Sequence, residues 1–167
     1  GASDPAVRTR AVKLREAWGN PTTVFLGVDR IDYTKGIPER LEAFEGLLQS
    51  GRVSVEDCVM VQAGSPSREN IPSYQALRAR IEGIVARINS AFQSSKGRPA
   101  VTYTAQNLER AEMLALFVAA DVMVVSSLRD GMNLVAKEFV ACRNDDSGVL
   151  ILSPFTGAAD RMVDALI

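Results

Sequence analysis

The 167-residue sequence contains no histidine. A catalytic triad built on histidine, a metal site with imidazole ligands and a histidine general base are therefore excluded within this chain. An excess of charge of one sign is also missing, because 19 Lys and Arg residues are offset by 20 Asp and Glu residues, for a net charge of −1. No global field is available to collect nucleic acid or an anionic membrane, so any anion site must be local.

Cysteine is rare, and long apolar runs are missing. The two cysteines, Cys58 and Cys142, both lie in apolar runs, which indicates reduced thiols in the core of a cytoplasmic protein rather than a disulfide. No apolar run approaches the ~20 residues that a membrane-spanning helix needs. The sequence opens with Gly-Ala-Ser-Asp-Pro, which lacks the basic and apolar pattern of a signal peptide. We therefore expect neither a membrane nor nucleic acid among the partners, and a homo-oligomer is compatible with the sequence.

Two common nucleotide-binding motifs are also absent. No glycine-rich dinucleotide fingerprint follows the first predicted strand, and no P-loop sequence occurs anywhere in the chain. The motifs for NAD and ATP are therefore missing. Any nucleotide that this chain binds must be held by other groups.

Short apolar runs alternate with stretches of helical periodicity along the whole chain. Hydrophobic residues make up 47% of the sequence and charged residues 23%, which is the composition of an ordinary globular protein, and we assign 1–167 to a single domain. The periodicity predicts helices over 4–18, from Ile37, over 77–92, between 108 and 120, from Asn133 and over 157–167. Strands are predicted at 22–28, 58–63, 100–104, 121–125 and 148–152.

This alternation predicts an α/β domain with a doubly wound, Rossmann-like parallel sheet. The usual strand order, 3-2-1-4-5, makes the first and fourth strands neighbours at the topological switch point. Ligands of such sheets bind in the crevice beyond the carboxyl ends of these two strands. The loops that follow them, 29–36 and 126–133, are the two with unusual chemistry, so the topology and the chemistry indicate the same crevice.

The loop after the first strand carries two cations and ends in a glycine. Arg30 and Lys35 lie five residues apart and could place a forked donor and a point charge on phosphate oxygens. Asp29 and Asp32 are open to two interpretations, as a pair of metal ligands or as carboxylates that orient Arg30 and Lys35. We favour the second, because no larger carboxylate cluster accompanies them.

The loop after the fourth strand leads into a helix that starts near Asn133, whose free backbone N–H groups would suit an anion. Asp130 at the mouth of the crevice is an acceptor for sugar hydroxyls, or alternatively the cap of the helix. Glu138 suits ribose hydroxyls, or alternatively is a favourable acid near the positive end of the helix. Arg68, in the turn-rich loop 64–70, is either a third cation of the site or an ordinary surface arginine.

Taken together, residues 26–38 and 128–138 resemble the trehalose-6-phosphate synthase family, and the segments 66–68, 148–153 and 155–159 agree. The resemblance runs nearly from end to end. It implies the C-terminal, nucleotide-sugar-binding half of a retaining, two-domain GT-B glycosyltransferase of family 20. Such enzymes are metal-independent and transfer glucose from a nucleotide donor such as UDP-glucose to glucose 6-phosphate. The acceptor site would lie mostly in an N-terminal domain that is absent here, so we expect the chain alone to bind nucleotide weakly and to transfer nothing.

The resemblance also implies roles for individual residues. Arg30 and Lys35 are the catalytic residues, which bind the donor diphosphate and stabilise the charge of the leaving nucleotide. Asp130 takes hydroxyls of the donor sugar, Glu138 takes the ribose, and weaker matches place Arg68 near the phosphates and Asn107 near the base. The implied donor-binding set is Arg30, Lys35, Arg68, Asn107, Asp130, Gly131, Met132, Asn133, Leu134, Val135 and Glu138.

The sequence departs from the family pattern at several positions. Ser126 and Ser127 stand where a Thr-Pro pair is common, Pro154 replaces a common glutamate, and 62–64 and 105–107 are atypical. Such drift suggests a paralogue, and an alternative is a pseudo-glycosyltransferase that resembles validoxylamine 7′-phosphate synthase. That enzyme would couple a GDP-linked cyclitol to an aminocyclitol phosphate. A non-catalytic nucleotide-binding homologue is disfavoured, because a decayed site would not keep all of its charged residues.

Overall fold

The computed structural model describes residues 1–143, 145–162 and 164–166. Its centre is a single sheet of parallel strands in the order β3-β2-β1-β4-β5. Both the parallel sheet and the strand order agree with the sequence prediction. The strands are β1 (Thr23–Arg30), β2 (Cys58–Ser65), β3 (Val101–Ala105), β4 (Val122–Val125) and β5 (Val149–Leu152).

Helices connect the strands and begin where the sequence supplies start signals. Proline occupies the first turn of α1, α2 and α3, where its missing N–H would have had no partner. The side chain of Asp4 caps α1, and that of Asn133 caps α5. The helices are α1 (Pro5–Ala17), α2 (Ile37–Gln49), α3 (Pro72–Ala91), α4 (Arg110–Ala119) and α5 (Leu134–Cys142), with a 3-10 turn at Tyr33–Lys35. Within the residues that the structure describes, no helix is long and apolar enough to cross a bilayer.

The sheet is buried on both faces, which is why its central strands are nearly continuous apolar runs. One core packs α1, α4 and α5 on the sheet around side chains such as Trp18, Phe117 and Phe139. The other core packs α2 and α3 on the opposite face around Leu41 and Ile81. Burying a large apolar side chain contributes roughly 1.5–3 kcal/mol, so these two cores fix the sheet whose carboxyl edge carries the loops discussed below.

The predicted final helix over 157–167 is wrong for the residues that the structure describes there. This segment forms turns, and Leu166 pairs with the free edge of β5 instead. The N–H of Leu152 donates to the carbonyl of Leu166 at 2.8 Å, and the N–H of Leu166 donates to the carbonyl of Leu150 at 3.0 Å. An edge strand has unpaired backbone N–H and C=O groups. Hydrogen bonds to these groups take the place of the helix that the apolar spacing predicts. Val163 and Ile167 lie outside the described residues.

The first strand also extends two residues beyond its predicted end. Arg30 is the last residue of β1 and pairs in register with Ser65 of β2. Its backbone is therefore held in the sheet rather than in a loop. This fixes the point from which its side chain leaves the carboxyl edge.

Candidate functional site

The loops after β1 and β4 touch each other at the carboxyl edge of the sheet. The N–H of Leu128 donates to the carbonyl of Thr34 at 2.8 Å, and the hydroxyl of Ser126 donates to the carbonyl of Gly36 at 2.9 Å. Gly36 has a φ of +64°, and a Cβ there would overlap the carbonyl oxygen of Ser126. Only glycine fits this position without strain, so it sets how closely the two loops approach.

Lys35 and Asp130 join the two loops by an ion pair. The Nζ of Lys35 lies 2.8 Å from Oδ2 of Asp130, and their side chains are 18% and 11% exposed. Asn133 and Ser127 also donate to that oxygen, at 2.9 and 3.3 Å. Burial by itself would raise the pKa of Asp130, but the hydrogen bonds from Lys35 and Asn133 outweigh it and hold the pKa below the ordinary 3.8. The carboxyl of Asp130 is therefore ionised at neutral pH.

Arg30 ends β1, and its guanidinium lies largely in solvent. Its side chain is 60% exposed, and its Nη2 lies 3.5 Å from Oδ2 of Asp32. Asp32 in turn caps the 3-10 turn, because its Oδ1 accepts from the N–H of Thr34 at 2.9 Å and from the Thr34 hydroxyl at 2.7 Å. Burial raises the pKa of Asp32, but these bonds and the charges of Arg30 and Lys35 bring it below the ordinary value. Asp32 thus contacts Arg30 as predicted, whereas the ammonium of Lys35 pairs with Asp130 of the other loop.

Asp29 does not orient Arg30 or Lys35, and that prediction is wrong. Its carboxylate is buried and forms a two-pronged ion pair with Arg40 of α2. The side-chain amide of Gln62 donates to the same carboxylate at 3.1 Å. Because a guanidinium and an amide already occupy its oxygens, Asp29 is also a poor metal ligand. Among the described residues, no group of three or more acidic or cysteine side chains is arranged to hold an ion.

The sequence analysis missed Arg40, although two signals were available. Arg40 lies on the same face of α2 as Ile37 and Phe44, where helical spacing demands an apolar residue, and it is 3% exposed. Gln62, at 0% exposure, interrupts the apolar run of β2 in the same way. A charged and an amide side chain at two core positions predict a buried hydrogen-bonded network, which is what the structure contains.

The start of α5 is capped by a neutral amide side chain rather than by a carboxylate. Asn133 has a φ of +61°, and its Oδ1 accepts from the N–H of Ala136 at 2.9 Å. The alternative that Asp130 caps this helix is therefore wrong. The other N–H groups of the first turn have no acceptor within the helix, which is the usual basis of an anion site. That turn includes Leu134 and Val135 and follows Gly131 and Met132, the residues that the sequence analysis assigned to the donor.

A short segment after β5 holds this loop in place. The N–H of Asp130 donates to the carbonyl of Phe155, and the N–H of Gly157 donates to the carbonyl of Asp130, both at 3.2 Å. A Cβ at Gly157 would overlap the carbonyl oxygen of Gly131, so the two backbones pack directly on each other. Residues after the fifth strand thus help to set the position of Asp130.

Glu138 lies about 6 Å along the axis of α5 from Leu134 and carries a buried carboxylate oxygen. Its Oε2 accepts no hydrogen bond, and the nearest cation is the Nη1 of Arg110 at 3.9 Å. The adjacent cavity of about 680 Å³ is lined by the first residues of the chain, α4 and α5 rather than by the Lys35 loop. The structure therefore leaves Glu138 with acceptor capacity but does not bring it into contact with the charged pair.

Arg68 is tied to the loop after β1 through aromatic side chains. Its guanidinium lies 5.5 Å from the ring centre of Tyr74, whose ring lies 5.7 Å from that of Tyr33 in the 3-10 turn. The hydroxyl of the neighbouring Ser67 donates to the carbonyl of Ile31 at 2.7 Å. Arg68 is thus linked through two aromatic rings to the 3-10 turn that ends in Lys35.

Asn107 faces a separate small cavity at the carboxyl edge. This cavity of about 190 Å³ lies between the ends of β1 and β2 and the loop after β3. Its lining residues include Val28, Ser65 and Leu108. The cavity therefore lies beside the last residues of the strand that ends in Arg30.

The family follows from a comparison of the whole chain. The model of glycosyltransferase family 20 matches residues 1–167. The chain belongs to glycosyltransferase family 20. A trehalose-6-phosphate synthase from Mycobacterium sp. (strain JLS) is 53% identical over 166 residues, which cover 99% of this chain and 34% of that relative. The chain thus spans about a third of the length of the curated relatives it matches.

Solved structures give the same family-20 fold. An α,α-trehalose-phosphate synthase (UDP-forming) from Burkholderia xenovorans in complex with glucose-6-phosphate superposes with a TM-score of 0.89 at 39% identity, over 96% of this chain and 35% of that one. A trehalose-6-phosphate structure from E. coli bound with UDP-2-fluoro glucose gives 0.85 at 35% identity, over 97% and 38%. These similarities confirm the expected Rossmann-like fold of a GT-B glycosyltransferase.

Proposed function

We propose that this family-20 chain is the donor-binding, C-terminal domain of a trehalose-6-phosphate synthase that transfers glucose from UDP-glucose to glucose 6-phosphate with retention. The observation that carries the proposal is the ion pair between Lys35 and Asp130, which joins the loops after β1 and β4 at the edge of the sheet where β1 ends in Arg30. Relatives about half identical to this chain bear the name of that enzyme, and two similar structures hold glucose-6-phosphate or a fluorinated UDP-glucose.

The cations act on the leaving group. When the bond between the anomeric carbon and the diphosphate oxygen breaks, its electron pair leaves with UDP, and negative charge grows on the diphosphate. The exposed guanidinium of Arg30 and the ammonium of Lys35 stabilise that charge, and the N-terminal turn of α5 faces it with N–H groups. Two cations and a helix terminus can offset a diphosphate, so the transfer as proposed needs no metal ion.

The remaining residues of the site contact the sugar, the ribose, the phosphates and the base of the donor. Asp130, an ionised acceptor, takes hydroxyls of the donor sugar together with the backbone from Gly131 to Leu134. The buried oxygen of Glu138 has no hydrogen bond and takes a ribose hydroxyl. Arg68 contributes near the phosphates, and Asn107 contacts the base in its cavity at the ends of β1 and β2.

Two further expectations belong to the same proposal. The acceptor site lies mainly in an N-terminal domain, which agrees with the third of the relatives' length that the chain covers. A cytoplasmic location agrees with Cys58 and Cys142, which are both free thiols in the structure.

One observation keeps the pseudo-glycosyltransferase as a second candidate. Ser127 is buried, and its hydroxyl reaches Oδ2 of Asp130 at 3.3 Å, at a position where the family commonly has proline. Asp130 is the proposed acceptor for hydroxyls of the donor substrate. An additional hydrogen bond from Ser127 to its carboxylate therefore changes which sugar or cyclitol ring the subsite prefers. A GDP-linked cyclitol is the alternative donor.

The test begins with binding to the 167-residue chain. Titration with UDP, GDP and ADP, followed by amide NMR chemical shifts, detects weak binding and shows which loops respond. We expect UDP to shift residues of the β1 and β4 loops, Arg30→Ala to abolish the effect, and Arg52→Ala, an exposed arginine between α2 and β2, to leave it unchanged. A preference for GDP favours the cyclitol enzyme, and no response to any nucleotide contradicts the proposal.

Transfer requires the rest of the enzyme. A chimera of the Mycobacterium synthase, with its matching 166-residue segment replaced by this chain, supplies the acceptor domain. We expect it to form trehalose 6-phosphate from UDP-glucose and glucose 6-phosphate. A folded chimera that consumes an activated cyclitol but not activated glucose would support the second candidate.

A further inference from the structure

Arg40 is a buried cation that lies one layer beneath the donor loops. Its side chain is 1% exposed and donates to partners on three other parts of the chain. It pairs with Asp29 through both terminal nitrogens, its Nη1 donates to Gln62 at 2.8 Å, and its Nε donates to the hydroxyl of Ser126 at 3.0 Å. One guanidinium therefore holds the end of β1, the middle of β2 and the start of the β4 loop.

Stability alone is a weak reason for this arrangement. Removing a guanidinium and a carboxylate from water is costly, and well-packed apolar residues in place of a buried ion pair are often neutral or stabilising. The rest of this face of α2 is apolar, with Ile37, Leu41, Phe44 and Leu48 all buried. Gly27, whose Cβ would overlap the guanidinium, leaves the room that Arg40 occupies. An arginine here, with space reserved for it, indicates a role beyond packing.

The partners of Arg40 are next to the residues proposed to bind the donor. Asp29 directly precedes Arg30 in β1. The hydroxyl of Ser126 accepts a hydrogen bond from Arg40 and donates one to the carbonyl of Gly36, the residue after Lys35. Ser126 therefore connects Arg40 to the loop that carries Lys35. The same serine begins the loop that carries Asp130. Arg30 is thus adjacent to one partner of Arg40, Lys35 precedes the glycine that Ser126 contacts, and Asp130 lies four residues after Ser126.

We propose that Arg40 is a positioning residue for the donor site. Acting through Asp29 and Ser126, it sets the spacing between the diphosphate cations on the β1 loop and the sugar-binding loop after β4. It does not touch the donor, and the inference rests on the proposed function of that site. Its removal changes affinity for a nucleoside diphosphate by displacing Lys35 rather than by deleting a contact.

The experiment measures UDP affinity of the chain by amide NMR titration together with its melting temperature. Ser126→Ala cuts the link between Arg40 and the β4 loop with a small loss of volume, and Ser126→Thr keeps the hydroxyl. Asn89→Ala is the stability control, since Asn89 bonds the backbone of Val101 at 2.9 and 2.8 Å at the opposite, amino edge of the sheet. Ser126→Ala removes the hydrogen bonds of the serine hydroxyl to Arg40 and Gly36, and we expect the displaced loops to weaken UDP binding roughly fivefold.

The controls separate positioning from a structural role. Ser126→Thr and Asn89→Ala should keep UDP affinity within about twofold, even where the melting temperature falls. In a Lys35→Ala background, the effect of Ser126→Ala should drop below about twofold, because two residues that act through one contact are not additive. Arg40→Lys keeps the charge but not the fork, and should weaken binding at least as much as Ser126→Ala. If that variant does not fold, the serine variants still decide.

Four outcomes overturn the inference. Wild-type affinity in folded Ser126→Ala, or an undiminished effect of that change without Lys35, refutes positioning while the proposed function stands. An equal loss in Asn89→Ala shows that the serine acts only through stability. A wild-type chain that binds no UDP contradicts the proposed function itself and the inference with it.

Discussion

The Nζ of Lys35 and Oδ2 of Asp130 lie 2.8 Å apart, although the two residues are separated by 95 positions in the chain. This ion pair joins the loop proposed for the diphosphate to the loop proposed for the sugar. An ammonium has three donors, so Lys35 can keep Asp130 and still donate to a phosphate oxygen. Asp130 is also held by Asn133 and Ser127, which fixes the carboxylate before any donor arrives.

The ion pair between Lys35 and Asp130 predicts how the free energy of unfolding depends on pH. Because the pKa of Asp130 is lower in the folded chain than its ordinary 3.8, the ionised carboxylate stabilises the fold above that pH, and this contribution is lost as the pH falls through the folded value. Asp130→Asn should lower the free energy of unfolding at pH 7 by about 1–2 kcal/mol, the effect of a charged hydrogen bond. The difference from wild type should shrink as the pH falls below about 4.

Urea unfolding at several pH values measures this difference. Lys35→Met provides the matched background, since without the ammonium the carboxylate gains less from ionisation and the effect of Asp130→Asn should diminish at pH 7. A difference between wild type and Asp130→Asn that is the same at pH 7 and pH 3 would contradict the lowered pKa.

The meeting of the two loops and the contact of Asp32 with Arg30 could be predicted from the sequence, whereas the partners of Asp29 and Asp130 could not. Five apolar strands alternating with helices imply a parallel sheet, and its usual order brings the ends of β1 and β4 together whatever the side chains are. Pairings among those side chains depend on distances of an ångström. The sequence pattern therefore pairs Asp29 with its neighbours Arg30 and Lys35. In the structure Asp29 instead forms an ion pair with Arg40, 11 residues away on the buried face of a helix.

The end of the chain was mispredicted for a different reason. Apolar spacing over 157–167 is compatible with a helix, but it takes no account of the unpaired edge of β5. Leu166 satisfies that edge through its backbone, and Gly157 packs on the backbone of Gly131. Both contacts are tertiary, and both outweigh a local preference that amounts to a few tenths of a kcal/mol per residue.

Two glycines, one immediately before α2 and one within it, should respond in opposite directions when each is replaced by alanine. Gly36 has a positive φ and faces the carbonyl of Ser126, so Gly36→Ala should destabilise the chain by about 1–3 kcal/mol and weaken UDP binding. Gly46 lies within α2 with open space around it, so Gly46→Ala should stabilise by about 0.5–1 kcal/mol without changing affinity. Thermal unfolding and UDP titration of both variants measure this, and a neutral Gly36→Ala would show that the loops do not need this approach.

The catalytic role of Lys35 is tested in the chimera with the Mycobacterium synthase. Removing one charged group that stabilises a leaving group typically lowers kcat by about 100- to 1,000-fold, and we expect Lys35→Ala to do so in trehalose 6-phosphate formation. Lys96→Ala, at an exposed lysine before β3, serves as the control and should leave kcat unchanged. A change confined to KM would assign Lys35 to ground-state binding and contradict a role in the transfer step.

Removal of metal ions tests whether protein cations are sufficient at the diphosphate. In the proposed mechanism Arg30, Lys35 and the first turn of α5 neutralise the leaving UDP, so no step depends on a divalent ion. Transfer by the chimera should therefore be the same before and after treatment with excess EDTA, measured as UDP release at fixed ionic strength. A loss of activity that is restored by Mg²⁺ or Mn²⁺ would show that the two side chains are not sufficient. In that case Asp32 and Asp130 would be the first residues to substitute, because their carboxylates could be the ligands of that ion.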